Sequence, residues 1–151
     1  MTTADDVFVV PATSGQQRLW FLDRYAGAGA AYNVTQAFRL QGPVRLDALR
    51  DSLSSIVARH ESLRTSLRMI QGELQQVIVP SATMAFEIAD LPSDVDLDDH
   101  LRSEATRPFD LASGPLCRAS VWRLTPDSAV FVITAHHVIV DGWSLRNLLA
   151  E

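Results

Sequence analysis

Lysine is missing from this 151-residue sequence: its 13 basic residues are all arginines, scattered along the chain against 18 acidic ones. A formal net charge of −5 without a basic cluster excludes a surface built to hold nucleic acid. Cysteine is nearly missing too. The single Cys117 rules out an internal disulfide, and in its apolar, strand-like run it reads as a small buried hydrophobe. That usage fits a reducing compartment, and the expected location is the cytoplasm. No apolar run is long enough to cross a membrane. The first six residues, Met1 to Asp6, are acidic where a secretory leader would be basic. The four histidines, His60, His100, His136 and His137, follow no ligand spacing, so neither a metal nor a directly bound cofactor is expected. Phosphate-cradling glycine loops, internal repeats and low-complexity tracts are also lacking.

What is present is an ordinary globular composition, 47% apolar and 21% charged. That is enough for one domain with a real core, or for one lobe of something larger. Ser14-Gly15-Gln16-Gln17 has the form of a capping box opening a helix to about Tyr25, with Leu19, Leu22 and Trp20 inward. Gly27-Ala28-Gly29-Ala30 stops it. A strand from Tyr32 to Leu40 precedes the clearest helix, in which Leu46, Leu49, Leu53, Ile56 and Val57 share one face. Strands at Thr65–Ile70 and Leu74–Val79 form a hairpin about Gly72. A short strand at Ala85–Ala89 follows, and an acidic helix through Leu97, Leu101 and Ala105 stops at Pro108. Strands at Leu116–Leu124 and Ala129–Ala135 pair through the turn between them, and a last helix starts at Ser144.

The stretch that organises the chain is Ala129 to Ser144. Ala129-Val130-Phe131-Val132-Ile133-Thr134-Ala135 carries no charge and is rich in β-branched residues, so it reads as a strand buried on both faces. It runs into His136-His137 and then the turn signal Asp141-Gly142. Successive strand residues point to opposite faces, so one imidazole can look into a cleft while its neighbour looks back into packed protein. An imidazole can take a proton from an amine or alcohol near neutral pH. Asp141 is expected to pair with an arginine and stiffen the turn, and Gly142 to allow a turn or a close approach that a Cβ would obstruct.

Three stretches resemble one family, in the family's order: the condensation domains of nonribosomal peptide synthetases. Ser14 to Leu22 is similar to the opening motif. Arg59-His60-Glu61-Ser62-Leu63-Arg64-Thr65 resembles the second, R-H-E-x-L-R-T-x-F, with Leu67 at the final aromatic position. His136 to Ser144 fits the active-site motif H-H-x-x-x-D-G-W-S, and Pro108 to Ala119 resembles the connecting segment. The H-H-x-x-x-D-G motif alone is shared with chloramphenicol acetyltransferase, lipoyl acyltransferases and wax-ester synthases. Its paired histidines and glycine favour amide-forming condensation over heterocyclisation and epimerisation.

The resemblance implies an α/β two-layer sandwich, a chloramphenicol-acetyltransferase-like lobe with a mixed sheet covered by helices. It makes residues 1–151 the N-terminal lobe of a condensation domain whose second lobe lies outside this sequence. The implied reaction joins two thioesters carried on the phosphopantetheine arms of an upstream donor and a downstream acceptor carrier protein, with an adenylation domain supplying activated amino acids. His137 is the implied base or positioning group, His136 is structural within the motif, Asp141 anchors an ion pair, and the Gly142 N–H is a candidate oxyanion donor. Arg64 is the expected local partner of Asp141, an arginine of the second lobe being the alternative, with Arg59, Trp143 and Ser144 as supporting residues. Nucleic acid and membrane are not expected partners. A free-standing acyltransferase and a non-catalytic carrier-docking lobe are the two rival readings, and the 151 residues alone are expected to be inactive.

Overall fold

The computed structural model describes residues 6–25 and 29–151. In chain order the elements are β1 (Phe8–Pro11), α1 (Ser14–Tyr25), β2 (Asn33–Gln41), α2 (Leu46–Arg59), a 3₁₀ turn (Glu61–Arg64), β3 (Thr65–Ile70), β4 (Glu73–Ile78), β5 (Ala85–Asp90), α3 (Leu97–Thr106), β6 (Cys117–Thr125), β7 (Ser128–His136) and α4 (Gly142–Ala150).

The uncharged run before the histidines becomes β7, an inner strand of a four-stranded sheet ordered β2-β7-β6-β5. It is antiparallel to β2, with Asn33 opposite His136, and antiparallel to β6, with Cys117 opposite Ala135. β5 joins β6 in parallel, which makes the sheet mixed. The two-residue period of the strand sorts its side chains between two cores. Ala129, Phe131, Ile133 and Ala135 pack with Leu53 and Val57 of α2 and with Leu145 and Leu148 of α4. Val130 and Val132 face the other way, onto Leu91 and Trp122, with Leu97 and Leu101 of α3 packed against them. Every residue of β7 from Ala129 to His136 is buried. The expected α/β sandwich, a mixed sheet covered by helices, is therefore what forms.

The second sheet is antiparallel and ordered β1-β4-β3. Its hairpin turns on Gln71 and Gly72, with φ of 52° and 86°. Positive φ at both central residues is what a tight two-residue connection between twisted strands requires, and glycine meets it at no steric cost. β1 was not expected from the residues: it is short, its side chains are exposed, and its pairing with β4 is non-local.

One local expectation shifts. The box that opens α1 lies one residue earlier than Ser14–Gln17. The Thr13 hydroxyl accepts from Gln16 N–H at 3.2 Å, and the Gln16 side chain accepts from Thr13 N–H at 2.9 Å. Of the expected stop after α1, Gly27 and Ala28 lie outside the described residues, and Gly29-Ala30 form a turn. On the α3 side, Arg118 of β6 is buried beneath the end of that helix. Its guanidinium pairs with the Glu104 carboxylate, donates to the Arg107 carbonyl at 2.7 Å and lies 4.1 Å from the Phe109 ring centre. This fastening holds Phe109 where it meets His136.

α4 carries the residues that follow the histidines, and it is held to the sheet chiefly by two leucines. Leu145 is 1% exposed and Leu148 7%. Leu145→Ala should lower the unfolding free energy by about 2–5 kcal/mol, the usual cost of emptying a leucine site in a packed core. Urea denaturation followed by circular dichroism reads this directly, and a loss below that range would mean that α4 is not fastened through Leu145.

Candidate active site

β7 ends at His136, and the chain then turns through His137, Val138 and Ile139 into α4. The two imidazoles separate as the alternation requires. His136 is fully buried, whereas His137 is exposed. Backbone bonds fix both positions: His136 N–H donates to the Leu116 carbonyl at 2.9 Å and His137 N–H to the Tyr32 carbonyl at 2.8 Å. The turn is closed by Ile139 N–H donating to the His136 carbonyl at 3.1 Å.

Side-chain bonds then set where each ring carries its proton. His137 Nδ1 lies 2.7 Å from the Val140 carbonyl oxygen. A carbonyl only accepts, so Nδ1 holds the proton and Nε2 keeps its lone pair. His136 has the opposite arrangement. Its Nδ1 accepts from Val138 N–H at 3.1 Å, which leaves the proton on Nε2. Burial, with the nearby His137 as a smaller cause, pulls the His136 imidazole down to about 4, so it is neutral at physiological pH. Its 3.8 Å approach to the Asp23 carboxylate is therefore not an ion pair. Gln16 ties α1 to the same turn, donating to the Val138 carbonyl at 3.3 Å and to the Gln76 side chain at 3.0 Å.

Asp141 does not pair with Arg64. Its carboxylate caps α4, accepting from Ser144 N–H at 2.7 Å. The Ser144 backbone bond, then the Ser144 hydroxyl, hold the Asp141 carboxyl below its ordinary range, and the neighbouring His137 adds to this. The first amides of a helix have no acceptor within it, and a carboxylate at the N-cap supplies one. Arg64 meets the complementary need at the end of α2. It donates to the Val57 carbonyl at 3.1 Å, to Pro80 at 3.2 Å and to Val79, so its donors are spent on backbone oxygens. Arg59 is likewise away from the histidines. It pairs at 2.8 Å with Glu151, which also meets His60 at 3.1 Å.

Gly142 is the first residue of α4, and a Cβ built there meets nothing within 4 Å. Of the turn or close approach expected at this glycine, no close approach is made among the described residues. Trp143 is not core: it is 67% exposed, with the Arg146 guanidinium 5.7 Å from its ring centre. Trp20 is half-buried against the main core. Cys117 is buried as expected, and burial pushes its thiol up to about 12, out of reach as a nucleophile. His136, His137, Asp141, Gly142 and Ser144 are thus brought together, and Arg64 and Arg59 are not. Gln16, Phe109 and Tyr32 belong to the surroundings of the histidines and were not assigned from sequence. Gln16 and Phe109 had a signal there, as parts of the opening motif and of the connecting segment. Among the described residues, no group of three or more His, Cys, Asp or Glu side chains could hold a metal ion, and no helix is long and apolar enough to cross a membrane.

A family model described as "Condensation domain" matches residues 8–151. One chain of the linear gramicidin synthase of Brevibacillus parabrevis is 42% identical over 148 residues, covering 94% of this chain and 3% of that protein. Phosphinothricin tripeptide synthetase PhsC of Streptomyces viridochromogenes is 40% identical over 150 residues, covering 93% of this chain and 14% of its own length. The chain thus spans a small part of these relatives. Among solved structures, the starter condensation domain of the rhizomide synthetase RzmA superposes with a TM-score of 0.85 at 18% identity, over 94% of this chain and 37% of that one. The four-domain nonribosomal peptide synthetase AB3403 does so with a TM-score of 0.82 at 22% identity, over 95% of this chain and 11% of that one.

The proton positions set two expectations. His136 has a folded value of about 4 against an ordinary 6.5, so the unfolded chain binds a proton that the folded chain refuses. This contribution is fully present above pH 6.5 and is lost as pH falls to about 4. It amounts to on the order of 3 kcal/mol. His136→Asn, which keeps an acceptor for Val138 N–H, should flatten that part of the stability–pH curve in urea titrations. An unchanged slope would mean that His136 titrates normally. Asp141→Ala should speed amide exchange at Ser144 and Leu145 while leaving the end of α2 protected, and Asp141→Asn should restore the cap. Loss of protection around Arg64 would instead revive an Asp141–Arg64 pair.

Proposed function

The chain belongs to the condensation-domain family, and from that premise we propose that it is the N-terminal lobe of a domain that forms peptide bonds between carrier-bound thioesters. The observation that carries this reading is the state of His137. It is exposed, fixed by its backbone and by Val140, and has a free lone pair on Nε2. The relatives named as peptide synthetases support the same reaction class.

In this reading the acceptor's α-amine attacks the donor thioester carbonyl, and its proton passes to His137 Nε2 as the C–N bond forms. The Val140 carbonyl holds the Nδ1 proton and so steadies the imidazolium. The tetrahedral intermediate collapses with cleavage of the C–S bond. The departing thiolate recovers the proton from His137, which returns to its starting tautomer. The Gly142 N–H, at the open end of α4, is the proposed donor to the oxyanion. Asp141 supports it indirectly, by capping the helix on which Gly142 stands. Each substrate arrives on the phosphopantetheine arm of a carrier protein, and an adenylation domain supplies the activated amino acids. Tethering converts a bimolecular encounter into an effectively unimolecular one, which itself contributes to the rate.

The second lobe of the domain closes the other side of the site, where His137 is open to solvent. The RzmA domain, of which this chain spans 37%, is long enough to hold such a second lobe.

The test uses a condensation domain carrying this lobe, mixed with donor- and acceptor-loaded carriers, with acyl transfer followed by intact-protein mass spectrometry. His137→Ala should lower dipeptide formation by about 10²–10⁴-fold, the usual contribution of a positioned acid–base group. The 151-residue chain alone should give nothing above background. A near wild-type rate in His137→Ala would move the chemistry off this residue. Transfer by the chain alone, lost in His137→Ala, would show that one lobe suffices.

A further inference from the structure

The buried histidine has an unfinished contact that the mechanism above does not use. His136 Nε2 carries the ring's proton, because Nδ1 accepts from Val138 N–H. An acceptor, Oδ1 of Asp23 on α1, lies 3.8 Å from that nitrogen. Neither atom has a hydrogen-bond partner among the described residues, and both are inaccessible. The Asp23 side chain is 18% exposed and that of His136 is fully buried. The rings of Tyr32 and Phe109 stand edge-on to the imidazole at 6.4 and 6.5 Å, and they offer its Nε2–H apolar surface. A buried donor and a buried carboxylate oxygen left unpaired are both costly. Closing the gap by about 1 Å would satisfy both at once. Burial and the charge of Asp110 hold the Asp23 carboxyl above its ordinary range, as expected of an acid short of a donor.

We propose that Asp23 is a positioning residue for the reaction, accepting the Nε2–H of His136 and so locking the ring whose Nδ1 holds the turn that aims His137. The coupling runs through two hydrogen bonds. His136 Nδ1 holds Val138 N–H, and the same short turn presents the Val140 carbonyl that keeps the proton on His137 Nδ1. The 3.8 Å separation is that of a pair which tightens when the site is assembled, as catalytic hydrogen bonds often do. Asp23 touches no reacting atom. This inference rests on the catalytic reading of His137 given above.

Both measurements are made on the condensation domain carrying this lobe, in which the site is assembled. Long-range proton–nitrogen spectra should place the His136 proton on Nε2, with its resonance moving upfield in Asp23→Leu and only slightly in Asp23→Asn. The second measurement is kinetic. Asp23→Leu should lower kcat by roughly 10- to 100-fold, as lost outer hydrogen-bond partners commonly do. KM for the loaded carriers should stay the same, and Asp23→Asn should regain most of the rate. A proton on His136 Nδ1, or an Nε2–H resonance indifferent to Asp23→Leu, overturns the proposal. Should Asp23→Leu fail to fold, the comparison of wild type with Asp23→Asn decides, and identical Nε2–H resonances overturn it. An inactive His137→Ala beside a fully active Asp23→Leu sinks the positioning role alone. An active His137→Ala sinks the catalytic reading, and the positioning role with it.

Discussion

The structure depends on one strand that is buried on both faces. Because β7 has β2 on one side and β6 on the other, its backbone groups are spent within the sheet. Because its side chains alternate between two cores, its register cannot slip by one residue without exchanging both sets. Everything after His136 inherits that precision. The turn is bonded to Tyr32, which adjoins one neighbouring strand, and to Leu116, which adjoins the other. The exposed imidazole therefore stands on a support held from both sides.

Polar groups around the site are spent locally. Asp141 serves the first turn of α4, Arg64 the last turn of α2, and Gln16 the carbonyl of Val138. Each meets a backbone group that secondary structure leaves without a partner at an element's end. The second motif, Arg59 to Thr65, thereby acts as a fastening between α2, the 3₁₀ turn and β4. Its arginine is used for its several donors rather than for its charge.

How much of this could be read from the residues varies with the range of the interaction. The strand before the histidines, the amphipathic α2, the hairpin at Gly72 and the helix through Leu97 and Leu101 were all legible, because each rests on periodicity or turn chemistry within about a dozen residues. The separate β1-β4-β3 sheet and the parallel β5–β6 pair were not, since pairing partners are distant in sequence. The opposite fates of His136 and His137 were legible from strand alternation. The Asp141–Arg64 pairing was an inference from charge alone, and it failed because nearby backbone acceptors and donors took both groups first. Trp143, expected as a supporting residue, is turned outward by the first turn of α4.

The bond from His137 to Val140 spans three residues, and the bond from Val138 to His136 spans two. The protonation register of the exposed imidazole is thus written into a loop that closes on itself. A facing surface that differs among assemblies can then change what is delivered to the imidazole, and at what angle, without resetting which nitrogen accepts. On the proposed reading, chemistry and selectivity are in that sense carried by separable parts of the architecture. The accepting nitrogen would then meet each substrate with its surrounding dipoles already oriented, leaving little reorganisation for the moment of bond formation.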